Sequence, residues 1–296
     1  MQTTISTART QPSSRASGWL RESSFASFFR NRNNALGAAI LLPILLLAVT
    51  APILPIADPL KPNVADSLTG PSFSHFFGTD KLGRDIFSRT IAGLKVSLTI
   101  GFAAATLSMS MGILLGTMAG TMGRRVDTII SAFVDVLLAF PGLLLAIGII
   151  AVFGGGTTQL IIALGISSMP AAIRLQRSLA LGMRSRTFMD AARMGNAPTW
   201  WLLLRHVLPN TVAPMVVVAT IYAANAILAE AALSFLGLGI TPPEPSLGNL
   251  VADGRNYLRE AWWISTIPGL AIVVVAISLH LFSDGIREQL DPSLRK

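Results

Sequence analysis

Long apolar runs decide what this chain can fold into. Stretches such as AIGIIAVF at 146–153 and GLAIVVVAISL at 269–279 carry no charge and cannot sit on a water-facing surface, but they suit a hydrocarbon core. Six intervals read as spans: 36–56, 96–121, 129–153, 157–177, 209–229 and 264–283. Roughly 20 residues at about 1.5 Å each are enough to cross a core of about 30 Å. Helices are the element these intervals select, because lipid leaves no partner for an open backbone group and the runs lack the strict alternation of a barrel strand. The fold class expected is an all-α polytopic membrane protein with about six transmembrane helices.

Composition supports this reading. Of 296 residues, 52% are hydrophobic and 13% charged, with a mean hydropathy of +0.61. Soluble domains carry about a quarter charged residues. The net charge of +8 does not point to nucleic acid, since the basic residues are scattered between apolar runs instead of forming one stripe with stacking aromatics. The chain has no cysteine and three scattered histidines, which excludes disulfides and thiolate chemistry and offers no metal set. No nucleophile elbow groups Ser, Asp and His, so an enzyme is the least supported class.

Residues 1–34 are rich in Ser, Thr and Arg and lack the form of a cleavable signal peptide. They read as a cytoplasmic tail in which 19–29 (WLRESSFASFF) is either a short interfacial helix or part of a disordered arm. The transmembrane domain is 35–283. On its second interval Gly101, Ala104, Ser108, Gly112 and Gly116 allow close helix approach. Pro43 and Pro52 can kink or end the first interval, and Pro170 can bend the fourth.

Charge asymmetry orients the chain. The pieces 1–35, 122–128, 174–208 and 284–296 hold Arg124, Arg125, Arg174, Arg177, Arg184, Arg186, Arg193, Arg205 and Arg287 among few acids, while 57–95, 154–156 and 230–263 are near balance. Lys/Arg excess marks the cytoplasmic side, so both termini are expected inside.

The stretch 184–210, RSRTFMDAARMGNAPTWWLLLRHVLPN, is the most informative. Thr187 and Asp190 have capping-box spacing, which starts a helix near Thr187. Gly195 can end that helix in the left-handed conformation, Asn196 can cap a second one, and Pro198 suits its first turn. Helix–helix connections need only about 2–8 residues, so a loop over 184–206 is either a docking element or a helix lying on the bilayer.

The order Asp190-Ala191-Ala192, then Gly195, then Leu208-Pro209 resembles the EAA loop of ABC importer permeases, with Asp190 where Glu is usual. FGTDKLGRDIFSRTIAGLKVSL at 77–98, ALSFLGLGITPPEPSLGNL at 232–250 and DGIREQLDPSLR at 284–295 resemble segments of the second, C-type permease of dipeptide, oligopeptide and nickel importers. The resemblance implies a type I-like permease fold in which 184–206 forms cytoplasmic coupling helices, with Phe188, Asp190, Ala191, Ala192 and Gly195 at the ATPase contact. It also implies an extracytoplasmic motif of Gly78, Thr79, Asp80, Gly83, Arg84 and Asp85.

The partners it implies are a second homologous permease, two ATP-binding subunits and an extracytoplasmic solute-binding protein. ATP and Mg would be bound by the ATPases, since this chain has no GxxxxGK[S/T] loop and needs no cofactor of its own. The implied location is the bacterial inner membrane.

Local physics adds that Asp80 or Thr79 can cap a short helix from Lys81 and that Asp80–Arg84 is an i,i+4 pair of low value if exposed. TPPEPS reads as a turn, and 231–240 as a surface or dipping helix. Two charges stand near hydrocarbon, where they are costly and often functional. Asp135 suits capping or inter-subunit pairing, or substrate contact; Glu230 suits either a cavity wall or a structural pair. A proton- or ion-coupled secondary transporter using these two residues is the alternative function.

Overall fold

The computed structural model describes residues 32–51 and 53–290. The proposed interfacial segment 19–29 and the tail residues 291–296 lie outside them. Nine helices are used below: α1 Arg32–Thr50, α2 Ile86–Thr121, α3 Arg124–Leu138, α4 Gly142–Phe153, α5 Thr157–Arg184, α6 Thr187–Met194, α7 Thr199–Phe235, α8 Leu247–Gly254 and α9 Trp263–Leu290. Among the described residues the extended pairing is one isolated bridge, Thr79–Asp85. Helices α2, α5, α7 and α9 are long and apolar enough to cross a membrane, α3 and α4 are so only when taken together across their bend, as a broken span or a re-entrant pair, and α1 is a shorter apolar helix.

The bundle is assembled on α2, which packs along α5 and α7. The small residues on its faces are where neighbours come closest. A Cβ on Gly116 would lie 2.6 Å from the Ile173 carbonyl oxygen, and one on Gly101 would lie 2.3 Å from Ile227 Cγ1. One apolar core joins Ile100 and Ala104 of α2 to Ala146, Ile150, Leu160, Leu164 and Leu233. A second seats α1 and α9 on the other side through Leu41, Leu98, Ile227, Val275 and Leu279. Without a hydrophobic force between helices in lipid, such close fits and internal hydrogen bonds hold the bundle. Gln176 supplies one: fully buried, its Nε2 donates to Thr117 Oγ1 at 2.7 Å and Thr211 Oγ1 at 2.8 Å, tying α5 to α2 and α7.

Several expected boundaries differ, each for a local reason. The interval 129–153 is two helices bent by 85° at a short break. Pro141, which cannot donate a helical hydrogen bond and disfavours helical backbone at Phe140, stands as the N-cap of α4. Helix α2 begins ten residues before Val96, at Ile86, because Asp85 caps it: Asp85 Oδ2 accepts from Ser88 N at 2.8 Å. The stretch 231–240 is no separate helix. Its first half is the last turn of α7, and the short packed helix is α8, capped by Ser246 and seated against α7, α9 and α2. No helix starts at Lys81.

Candidate functional site

The loop between α5 and α7 is a folded unit. Helix α6 puts Met189 inward against Ala180, Leu202, Leu203 and Val207, with Ala192 and Ala197 at the margin. The His206 ring of α7 lies against Phe188 of α6, centroids 5.6 Å apart, and against Trp201 of its own helix at 5.1 Å. These contacts seat α6 on the start of α7; Asp190, Met194 and Gly195 are exposed, and Phe188 is partly so beside His206. The side chains of Ala191 and Arg193 lie outside the described residues. The left-handed residue at the break is Asn196 (φ 60°), one position later than expected of Gly195. Asparagine tolerates that conformation because its short polar side chain compensates locally. The second helix then runs without interruption into the membrane-crossing part of α7 through a π-turn at Leu203–Val207. Sequence periodicity did not show that turn; Pro209 immediately beyond it was the available signal.

Glu230 is fully buried on the facing side of α7, where it accepts hydrogen bonds from Ser97 Oγ and Ser234 Oγ, each at 2.7 Å. Ser97 Oγ in turn receives the Leu247 N–H at 3.4 Å, so one carboxyl joins α2, α7 and α8. Asp135 lies elsewhere, in the last turn of α3, paired with Arg174 of α5 at side-chain exposures of 62% and 58%. Its neighbour pair is Asp127–Arg177, a two-point contact of the same helices. Asp135 and Glu230 are therefore not brought together.

Two predictions follow from this difference in burial. Glu230→Leu strands two buried serine hydroxyls at about 1–3 kcal/mol each, whereas Glu230→Gln keeps partners for both, since a hydroxyl donates or accepts. Thermal unfolding of the purified subunit should therefore separate Leu from Gln, and equal melting would remove this network from the stability of the fold. Asp135→Asn should cost no more than about 1 kcal/mol by the same measurement, the range for an exposed ion pair. A loss of several times that would contradict the exposed pairing with Arg174.

The motif residues Gly78 to Asp85 form a tight cap at the opposite end of the bundle. Asp80 Oδ1 accepts from the backbone of Leu82 at 2.8 Å and Arg84 at 2.9 Å, and Oδ2 from Arg84 Nε at 2.7 Å. Asp80, Arg84 and Arg89 are largely buried, so Asp80–Arg84 is not the exposed pair expected. Thr79 is fully buried, and its carbonyl receives Trp263 Nε1 at 3.1 Å. Gly78 and Gly83 both have positive φ, and a Cβ on Gly83 would fall 1.7 Å from the Asn63 carbonyl oxygen. His75 Nδ1 lies 3.0 Å from Asp85 Oδ1. Among the described residues no group of three or more acidic or histidine side chains is placed to hold a metal.

Comparison with known proteins identifies the family. A putative peptide transport system permease protein of Brucella abortus is 43% identical over 266 residues, 90% of each chain. A di/tripeptide transport system permease protein of Pseudomonas aeruginosa is 40% identical over 275 residues, 91% of each, and a glutathione transport system permease protein of Pectobacterium atrosepticum is 40% identical over 226 residues, 76% of this chain and 75% of that one. Among solved structures, an inward-facing form of the MetNI methionine ABC transporter shares the fold, with a TM-score of 0.57 at 16% identity over 68% of this chain and 96% of that one. The sequence profile of the binding-protein-dependent transport system inner membrane component matches residues 112–296. With that match and these relatives, the chain belongs to the family of binding-protein-dependent transport system inner membrane components, as a multi-pass permease subunit of an ABC importer.

Proposed function

We propose that this permease is one of a pair of homologous subunits forming the path of an importer for di- and oligopeptides, driven by two ATP-binding subunits and fed by an extracytoplasmic binding protein. The observation that carries the coupling part is α6: a short helix seated on the start of α7 by Met189 and by Phe188 against His206, with Met194 exposed. A rigid handle with an apolar outer face suits a partner that pushes. Closure of the ATPases on ATP and Mg would move α6, and α7 with it, a linkage between two states instead of chemistry in this chain. The permease itself catalyses nothing and binds no cofactor. Its termini and the 184–206 loop face the cytoplasm, in accord with the arginine excess there. Peptides are the substrate class because the relatives named above are described as peptide, di/tripeptide and glutathione permeases.

The test is uptake of a labelled dipeptide by proteoliposomes carrying the full complex. Uptake should require internal ATP and the binding protein and should survive collapse of the proton gradient. Uptake without ATP would favour an ion-coupled transporter instead.

A further inference from the structure

Arg89, in the first turn of α2, is 3% exposed and short of hydrogen-bond partners. Among the described residues its guanidinium makes one hydrogen bond, from Nη1 to the Pro59 carbonyl at 3.1 Å. Nε is buried with no partner in reach. The nearest carboxylates are Asp80 Oδ2, 3.6 Å from Nε, and Asp253 Oδ2, 4.0 Å from Nη2. Both lie beyond hydrogen-bond range. Donors left unmade on a buried charged group are costly, and a native structure keeps few of them. The same side chain forms part of the wall of a cavity of about 570 Å3, which Lys81, Arg84, Arg255, Glu244 and Asp253 also line. That is room enough for a small ligand. Lys81, Arg255, Glu244 and Asp253 are exposed, so charges of both signs ring the mouth while Arg89 stands at the buried wall.

We propose that this cavity is an outer subsite for a short peptide, in which Arg89 takes the C-terminal carboxylate and Glu244 and Asp253 meet the ammonium end. A guanidinium fork binds a carboxylate at two points, and such a ligand supplies the acceptors that Arg89 lacks within the protein. Asp80 does not supply them, because its oxygens are held by the backbone N–H groups of Leu82 and Arg84 and by Arg84 Nε. Asp253 has a side chain 47% exposed and can turn from Arg89 toward the mouth as the ligand enters. An arginine that only braced Pro59 against α2 would leave the cavity indifferent to what fills it, and the experiment below separates the two roles. The inference rests on the importer reading and the outer placement of 57–95 and 230–263. It adds the residues of this chain that meet the peptide.

The chain has no cysteine, so Leu236→Cys, in the cavity wall and 61% exposed, gives a single thiol. This variant is assembled with partners free of reactive cysteine in nanodiscs, without binding protein or ATP. The rate at which a small neutral methanethiosulfonate modifies the thiol is read at constant ionic strength. Alanyl-alanine should slow it several-fold. Alanyl-alanine amide, which lacks the carboxylate, and N-acetyl-alanyl-alanine, which lacks the ammonium, should protect far less. In an Arg89→Gln background the rate without peptide should be unchanged and the protection by alanyl-alanine lost. Equal protection by the acid and its amide, or protection that survives Arg89→Gln, overturns the proposal. Absence of protection by all three overturns it as well, and shielding that then appears only with the binding protein would give the cavity to that partner. The comparison of acid with amide leaves Arg89 in place, so it decides the matter even where Arg89→Gln does not assemble. A missing peptide effect alongside normal ATP-driven dipeptide uptake would remove this subsite and leave the importer reading intact.

Discussion

Gly116→Val should yield little or no assembled permease. The position lies on the close seam of α2 and α5: any Cβ would lie 2.6 Å from the Ile173 carbonyl oxygen, 2.7 Å from Gln176 Cβ and 2.9 Å from the Arg177 nitrogen. Two of these atoms are backbone, so no rotamer change relieves the clash and the helices must separate. Overpacking of this kind costs about 1–3 kcal/mol and at times more, and separation here also pulls Gln176 away from Thr117, a buried hydrogen bond across the same crossing. Gly148 on α4 is the internal control, because a Cβ there has no neighbour within 4 Å. Gly148→Ala should leave yield and melting unchanged or improve them, since alanine is the better helix former. Recovery of the solubilised subunit as a monodisperse species measures both. Equal recovery of Gly116→Val and Gly148→Ala would mean that α2 and α5 are not packed as described.

The second large effect is on transport without loss of assembly. Replacing Phe188 and Met194 together by Asp should reduce ATP-driven uptake to background and abolish the substrate-stimulated part of ATP hydrolysis. Met194 is 83% exposed and Phe188, beside the His206 ring, 44%, while Met189 keeps α6 seated. Met194→Asp alone should therefore melt as the unmodified subunit does, whereas the double variant also gives up the Phe188–His206 contact and should melt somewhat lower. The desolvation of two new charges falls on the contact with the partner, where an apolar anchor lost to a charge weakens docking strongly. A bulky β-branched residue at Gly195 should act in the same direction by stiffening the break. Normal uptake in the double variant would remove this face of α6 from the coupling mechanism.

How much of this was legible beforehand differs from element to element. The all-helical membrane class followed from charge-free runs, because period and length are local properties. The close approaches of α2 were readable from Gly101, Gly112 and Gly116, since small residues have few other uses in lipid. The 85° bend was not read, although Pro141 announced it: a continuous apolar count masks a break in direction. The order in the Gly78–Asp85 cap was hidden for a different reason. Asp80 looks like a surface residue in sequence but is buried against Arg84 and Arg89, in a cap that Trp263, far along the chain, joins through the Thr79 carbonyl. Glu230 and Asp135 were equally conspicuous as charges, and only tertiary contacts with Ser97, Ser234 and Arg174 separate the interior carboxyl from the exposed ion pair. The π-turn is also a tertiary matter, lying where Met189 and Ala180 pack against Leu203 and Val207.

The central claim is that α6 hands motion from an ATP-binding subunit to α7. A photo-crosslinking residue at position 194 in the fully assembled, actively transporting complex tests it most directly. The account predicts an adduct with the ATP-binding subunit, and no such adduct from a probe at Leu258, at the opposite end of the bundle. An adduct from 194 only to lipid or to the binding protein, or labelling of 194 from the outer side of sealed cells, would contradict it.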